Sequence, residues 1–485
     1  MQNRLLACGL AALLLAPVAP AQAQKVKKVP FSYLPEPGPD RYSRRVPRKT
    51  LALTDGSGFV VLAHQGSGEY AVERYDAELK KQWAATVPVA PGETLEAFGR
   101  SAEQVWVVLH RADDNTQTLT VTPVRLAGGQ RGPAQVLATA PARDRRLGIS
   151  ISPDGRRLLA LRTLTRGNQV TSMAATLFDQ NLARLEEKTY DFREFGDFFS
   201  PTAHVANDGT QYVTLVSDQM RKLSVRRYLP GPNPEVRVLG VPVGGVYGGR
   251  AVRIRDPRFA VLADGSLYAA ALCADDATGA YTGLKVVKYD FTTGSGDMKF
   301  SPEVAFTPEY LAEVGRATGQ PAPARLDDVY VGELLLTTDK RLVVVCEKYY
   351  EEGGSTAPVH ARELHVFGYD EYGSPKWHRI VAKDQVAPAA DGYAGIGFRA
   401  AAFGTDVQLL TQETLDKKPD LYLRHLNAQT GVVSAPERLK LNIAADQEQP
   451  YVKDFTAWLD AKTLIGVSRP NKKAKALQLE KIVVK

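Results

Sequence analysis

Leu147-Gly-Ile-Ser-Ile-Ser-Pro-Asp154-Gly-Arg-Arg-Leu-Leu-Ala-Leu161 is the stretch whose reading decides the fold. Two aliphatic runs flank an Asp-Gly pair. Glycine tolerates the positive φ that a tight hairpin turn requires, so the stretch predicts two antiparallel strands joined at Asp154-Gly155. The same turn recurs at Asp55-Gly56, Asp208-Gly209 and Asp264-Gly265. Looser forms stand near Ser101, at Thr338-Asp339-Lys340, at Gly404-Thr405-Asp406 and at Asp460. Successive turns are 46, 53, 54, 56, 75, 67 and 54 residues apart, so the chain holds eight units with a period near 54. A fixed period of this size marks a repeat architecture.

The second half of each unit repeats as well. Ala71-Val-Glu-Arg-Tyr-Asp76 leads through a turn to Trp83-Ala-Ala-Thr-Val87, and Leu364-His-Val-Phe-Gly-Tyr-Asp370 leads to Trp377-His-Arg-Ile-Val381. Weaker copies occur at Ala175–Asp179, Val286–Asp290 and Leu421–Asn427. Each unit therefore holds about four strands. Four-stranded sheets repeated radially are propeller blades, and closure into a ring removes the sheet edges that an open array would expose. The expectation is an all-β, single β-propeller over residues 50–485. It has eight blades of four antiparallel strands, with seven blades as the alternative. One helix signal interrupts it. Thr307-Pro308-Glu309 is a start and Gly319 a stop, which places a short helical insertion within 301–325 and explains the longest turn spacing.

The Ser152-Pro-Asp-Gly155 turn resembles that of TolB-like propeller repeats. The Tyr-Asp…Trp hairpins at 75–83 and 369–377 look like those of pyrroloquinoline-quinone-type propellers, but only Trp83 and Trp377 of the four tryptophans occupy the hairpin position. Leu364–Gln385 also resembles exported bacterial propeller proteins that carry this hairpin with a following Lys-x-Gln, here Lys383-Asp384-Gln385. These resemblances imply fold and compartment rather than an activity.

The N-terminus points to export. Arg4, the apolar run Leu5–Val18 and Ala21-Gln22-Ala23 have the layout of a signal peptide over residues 1–23, with the mature chain starting at Gln24. Leu5-Leu6-Ala7-Cys8 looks like a lipidation box but precedes most of the apolar run. The apolar run is too short for a comfortable membrane span, and no later one is longer. A periplasmic or extracellular location is expected. Cys273 and Cys346 read as two buried thiols rather than a bridge, since two cysteines make no disulfide framework.

The net charge is +7, and after Arg4 it is accounted for by residues 24–49. There Lys25, Lys27, Lys28, Arg41, Arg44, Arg45, Arg48 and Lys49 face only Glu36 and Asp40, among five prolines. This segment reads as a disordered, basic leader, with contact to an anionic surface as the functional alternative. The neutral body argues against nucleic acid as a partner.

Functional residues are expected on one face. If the Asp turns join the first two strands of each blade, the ends of the second strands gather on the opposite face, around the channel. The rim candidates are His64, His110, Arg111, Arg162, Asp218, Glu347, Lys348, Gln412 and Arg469. Tyr349 and Tyr350 join them from the loop 349–360, which with the 301–325 insertion would make a raised lip beside the fifth and sixth blades. Asp113-Asp114 and Asp275-Asp276 are paired loop carboxylates, so they are calcium candidates, or else solvated turn aspartates. His360, His365 and His378 lack zinc-site spacing and read as surface histidines. Gly244-Gly245 and Gly248-Gly249 lack the residues of a phosphate loop, and Phe192–Phe199 reads as an aromatic linker between blades. No catalytic motif and no cofactor signature are present. The expected function is a non-enzymatic binding or scaffold propeller of the cell envelope that recognises a protein or glycan through its loop face. The alternative is an exported propeller enzyme, a glycan lyase or hydrolase, with a site assembled at the central channel.

Overall fold

The computed structural model describes residues 25–35, 46, 48–66, 68–167, 169–195, 201–231, 236–243, 245–247, 250–262, 264–291, 297–300, 302–354, 356–443, 449–469 and 476–484. The signal segment with Cys8, residues 36–45 of the basic stretch, residues 196–199, and Gly244, Gly248 and Gly249 lie outside the described residues.

Eight antiparallel sheets follow one another along the chain. Blade 1 spans 50–88, blade 2 93–141, blade 3 148–191, blade 4 202–242, blade 5 245–305, blade 6 329–387 and blade 7 398–438. Each runs from an innermost to an outermost strand in chain order. Blade 8 takes three strands from Ala457–Val483 and its outermost strand from Lys25–Phe31, which pairs with Leu477–Val483 from Lys25↔Val483 to Phe31↔Leu477. The sheet therefore closes on itself, and eight blades rather than seven is the outcome.

All eight expected inner turns, seven of them with an aspartate, fall between the first and second strands of a blade, counting Arg250–Val261 as the first of blade 5. The turn at 152–157 shows why these residues are there. Asp154 Oδ1 accepts the Arg156 N–H at 2.9 Å and the Ser152 hydroxyl at 2.7 Å, and Gly155 donates its N–H to the Ser152 carbonyl at 2.8 Å. Gly155 has φ +71°, and a Cβ there would collide with the backbone carbonyl of Arg100 in blade 2. Conformation and close approach both require glycine. The outer hairpins use the same device. The carboxylates of Asp76, Asp179 and Asp370 each accept two backbone N–H groups of their own turn. An aspartate that caps its own turn favours that turn before any tertiary contact forms.

The core lies between the blades. One cluster of buried apolar side chains sits at each of the eight junctions, including Phe31, Phe59, Val61, Ile465 and Leu479 where blade 8 meets blade 1. Trp83 and Trp377 do equivalent work at two junctions. Each reaches from an outermost strand to the next blade's outer hairpin, where the indole N–H donates at 3.0 Å to the carbonyl of Leu126 or Ala428. The indole faces lie against Gly129 and Gly431, where any side chain would collide. Cys273 and Cys346 are free and fully buried on the second strands of blades 5 and 6.

The leader needs correction. Lys25–Phe31 is a strand, not a disordered lead-in. Val26, Val29 and Phe31 pack into the blade 7–8 and 8–1 junctions, and Lys28 finds the buried Glu480 at 2.8 Å. Pro30 is tolerated because an outermost strand needs no ladder donor on its free side. Farther on, Leu34 N donates to the His64 carbonyl at 2.9 Å, and Lys49 is buried with its Nζ over the Tyr33 ring. The insertion is the helix Pro308–Thr318, capped by Thr307 and ended by Gly319 at φ +67°. No helix among the described residues is long and apolar enough to cross a membrane.

Candidate functional site

The rim candidates sit at second-strand ends, yet they do not form one ring of free groups. His64 is engaged by the chain's own N-terminal segment, its Nδ1 3.1 Å from the Leu34 carbonyl. His110 is 4% exposed and bonds the Gln117 side chain at 3.0 Å. Arg162 pairs with Asp144 at 3.1 Å. Arg469 donates its backbone N–H to Pro450, in the approach to blade 8. Arg111 and Asp218 are exposed, and Asp218 begins a turn of three residues at positive φ.

The members from blades 6 and 7 are different, because there the structure assembles a site. The second and third strands of blade 6, Leu342–Glu351 and Val359–Tyr369, are among the longest in the molecule, and Gln385–Ala387 pairs with the upper part of the third. The expected loop 349–360 is thus mostly a tall hairpin, open only over 352–358. Inside its overhang lies a satellite core of Val359, Ala361, Ala387 and Ile396, with Tyr349 and Tyr393 packed on it. Tyr330 stacks on Tyr349 with centroids 4.3 Å apart, and Tyr393 meets Tyr349 edge-on at 5.1 Å. Tyr281 of blade 5 lies within electrostatic reach of Tyr330. All four rings are partly exposed.

The phenols are held neutral. Burial pushes the Tyr330, Tyr349 and Tyr281 hydroxyls up, and nearby acids add to it; Tyr393 is pushed up to about 12. A phenol displaced this way does not serve as a base near neutral pH but remains a hydrogen-bond donor and acceptor. Asp328, at φ +54°, fixes the platform through its backbone carbonyl, which accepts the Tyr349 N–H at 2.9 Å. Asp256 lies behind it. Burial raises its carboxyl pKa, and its Oδ2 accepts the Val331 N–H at 2.5 Å.

Charged groups frame the tyrosines. Lys348 pairs with Asp327 at 3.1 Å. Tyr350 stacks on His360 at 4.8 Å, and Arg362 bridges Tyr350, His360 and Asp384. Below, the fully buried Lys383 holds Glu347 at 2.8 Å and the Gln385 side-chain oxygen at 2.8 Å. Gln385 then takes the Gly397 N–H and donates to the Gln412 carbonyl. The Lys-x-Gln pair is therefore the clamp that fixes the 391–397 loop carrying Tyr393.

The reading of the histidines changes here. His360 and His365 are not surface histidines. They are 5% and 1% exposed, and His365 Nδ1 sits 2.8 Å from the Tyr310 hydroxyl of the helix. His378 pairs with Glu313 of the same helix at 2.9 Å. The carboxylates considered for calcium are otherwise engaged. Asp113 and Asp275 each accept N–H and hydroxyl bonds within their own turns, and Asp276 pairs with Arg253 at 3.0 Å. Asp114 adds no third ligand, and no group of three His, Cys, Asp or Glu placed to hold a metal occurs among the described residues. Sequence reasoning missed Tyr281, Tyr330, Tyr393 and Asp256. Only Tyr393, in the glycine-rich Asp391-Gly-Tyr-Ala-Gly-Ile-Gly397, carried a local signal.

No family model matches the chain, and no curated protein matches it in sequence. Among solved structures, the polysaccharide lyase Uly1 aligns at a TM-score of 0.40 and 11% identity, over 82% of this chain and 90% of its own. The periplasmic gluconolactonase PpgL of Pseudomonas aeruginosa gives 0.38 at 16% identity, over 80% of this chain and 94% of its own. A hypothetical selenium-binding protein from Sulfolobus tokodaii gives 0.39 at 10% identity, over 68% and 78%. At these values the similarities say nothing about chemistry, and the fold assignment rests on the strand pairing itself.

Proposed function

We propose that this chain is an exported, envelope-associated binding propeller that takes a carbohydrate on the tyrosine platform between blades 5, 6 and 7. The observation that carries this reading is the platform itself. Tyr330 and Tyr349 stack on each other and Tyr393 meets Tyr349 edge-on, so the cluster offers its outer ring surfaces and neutral hydroxyls over a dry floor, with Asp328 and Lys348 at the edge. Aromatic faces take the C–H faces of sugars, while phenol and carboxylate oxygens take their hydroxyls. The tyrosines are locked by packing, so little side-chain freedom is lost on binding. A glycan array probed with the wild type and with Tyr349→Ala and Tyr393→Ala tests it. Glycan binding by the wild type that both variants weaken several-fold supports the reading, and binding unchanged in both variants refutes the platform.

One observation favours a catalytic role instead. Asp256 is a carboxyl beside the platform with a raised pKa, the property of a general acid. Depolymerisation of a glycan that Asp256→Asn abolishes, with binding retained, would make the site that of a lyase or hydrolase.

A further inference from the structure

Arg399, on the innermost strand of blade 7, is 9% exposed. Among the described residues it makes one hydrogen bond, from Nη2 to the Thr456 carbonyl at 3.4 Å. A guanidinium carries five N–H donors, and buried donors are ordinarily paired. The other donors of the Arg399 fork have no protein acceptor among the described residues, and none is fully buried, so they are open to solvent. A second guanidinium stands close by. Arg48 reaches from the N-terminal approach to blade 1 as far as Glu333 on the innermost strand of blade 6, at 3.7 Å, and its charge opposes that of Arg399. Two neighbouring cations with few direct partners are stable where an anion shares them.

Glu333 and Asp454 are the carboxylates that face Arg399, and Glu333 is shared with Arg48, while the ammonium groups of Lys49 and Lys453 turn to the Tyr33 hydroxyl and the Ile396 carbonyl. Glu347 is held by Lys383. The position relative to the tyrosines follows from the strands. Tyr393 precedes Arg399 within one segment that folds over Tyr451, whose hydroxyl bonds Thr456. Tyr330 precedes Glu333 by three residues. Glu333, which Arg48 meets, thus lies about 10 Å along the strand from Tyr330.

We propose that Arg48 and Arg399 form an oxyanion site in the channel mouth and that the ligand is an acidic sugar, its ring on the tyrosines and its carboxylate or sulfate between the two guanidiniums. The anion site stands on the arginines alone, whereas its joining to a sugar ring rests on the platform reading.

Calorimetric titration of the mature protein with sodium sulfate, glucuronate and glucose, with chloride keeping ionic strength constant, tests both parts. Sulfate and glucuronate are expected to bind, glucuronate more tightly, and glucose far more weakly. Loss of a charged hydrogen-bond donor corresponds to about tenfold or more, so Arg399→Gln should weaken both anions by that factor. Arg48→Gln, on a residue 62% exposed, should weaken them several-fold at an unchanged melting temperature, and it decides the matter if Arg399→Gln fails to fold. Tyr393→Ala should remove the advantage of glucuronate over sulfate and leave sulfate binding intact. The proposal is overturned if the wild type binds neither anion at tens of millimolar, or if the folded arginine variants bind both as the wild type does. Sulfate binding with no preference for glucuronate would keep the anion site and remove the platform. Equal binding of glucose and glucuronate, indifferent to Arg399, would keep the platform and remove the anion site.

Discussion

Blades 6 and 8 each lock on a lysine–glutamate pair, with the roles of the two residues exchanged. In blade 8 the acid is the buried partner: the Glu480 side chain has no exposure, and Lys28 keeps 29%. In blade 6 the lysine is the buried partner, with Lys383 at 0% and Glu347 at 11%. Both pairs are 2.8 Å apart. Burial raises the Glu480 pKa and lowers that of Lys383, each toward its neutral form. The difference follows from what each pair holds. In blade 8 an N-terminal strand arrives from solvent with its cation and seals an acid already enclosed by the third strand. In blade 6 the cation is internal and gathers Gln385 and the 391–397 loop around itself. One pair closes the ring, and the other fixes the floor beneath the tyrosines.

The largest expected effect comes from removing the closing strand. Deletion of 25–31 should abolish the cooperative thermal transition followed by circular dichroism, because Leu477 and Leu479 lose their cover and the sheet regains an edge. Within that strand, Phe31→Ala should cost about 3–5 kcal/mol in denaturant titration, since Phe31 is 4% exposed in the 8–1 junction.

Breaking either pair should be somewhat milder, about 3 kcal/mol, and the two should respond to pH with opposite sign. Lys28→Met leaves Glu480 buried without its cation. A carboxyl with a raised folded-state pKa favours folding at low pH, so the deficit should shrink as pH falls toward the ordinary glutamate value of 4.5. Glu347→Gln leaves Lys383 without its anion. A lysine with a lowered folded-state pKa favours folding at high pH, so that deficit should shrink as pH rises toward 10.5. Denaturation midpoints across pH would show this, and deficits that move in the same direction would refute the exchanged-role account.

Smaller effects separate the two sectors of the loop face. Tyr349→Ala should lower ligand affinity by about threefold to tenfold, as expected for an aromatic contact of about 0.5–1.5 kcal/mol. His64→Ala should leave ligand binding unchanged and cost about 1 kcal/mol of stability, the net value of its bond to Leu34. Arg111→Ala, at an exposed strand end, should stay within about 0.5 kcal/mol in both measurements.

The contrast also shows what local reading can reach. Four inner turns were legible because an aspartate bonding its own turn, followed by glycine at positive φ, is a property of adjacent residues, and the period located the other four. The helical insertion between blades 5 and 6 was legible from its Thr-Pro start and its glycine stop. The strand character of Lys25–Phe31 was not, because its prolines and lysines read as a leader and its partner lies at the other end of the chain. The convergence of Tyr281, Tyr330, Tyr349 and Tyr393 was not legible either, since they come from four separate segments of three blades. Nor was the burial of His360 and His365, which depends on the helix and on the neighbouring strands.

By itself the sequence determined the period, the turn chemistry and the all-β class, since each follows from spacing and from bonds within a few residues; eight blades over seven was decided by the pairing of Lys25–Phe31 with Leu477–Val483. Only the tertiary structure decided which second-strand ends remain available. Polar residues occupy those ends in most blades, and whether one is free depends on what the ring brings against it. Around blades 8 and 1 the N-terminal segment covers the loop face. At blade 6 a buried lysine, a dry floor and a cluster of three tyrosines leave it open.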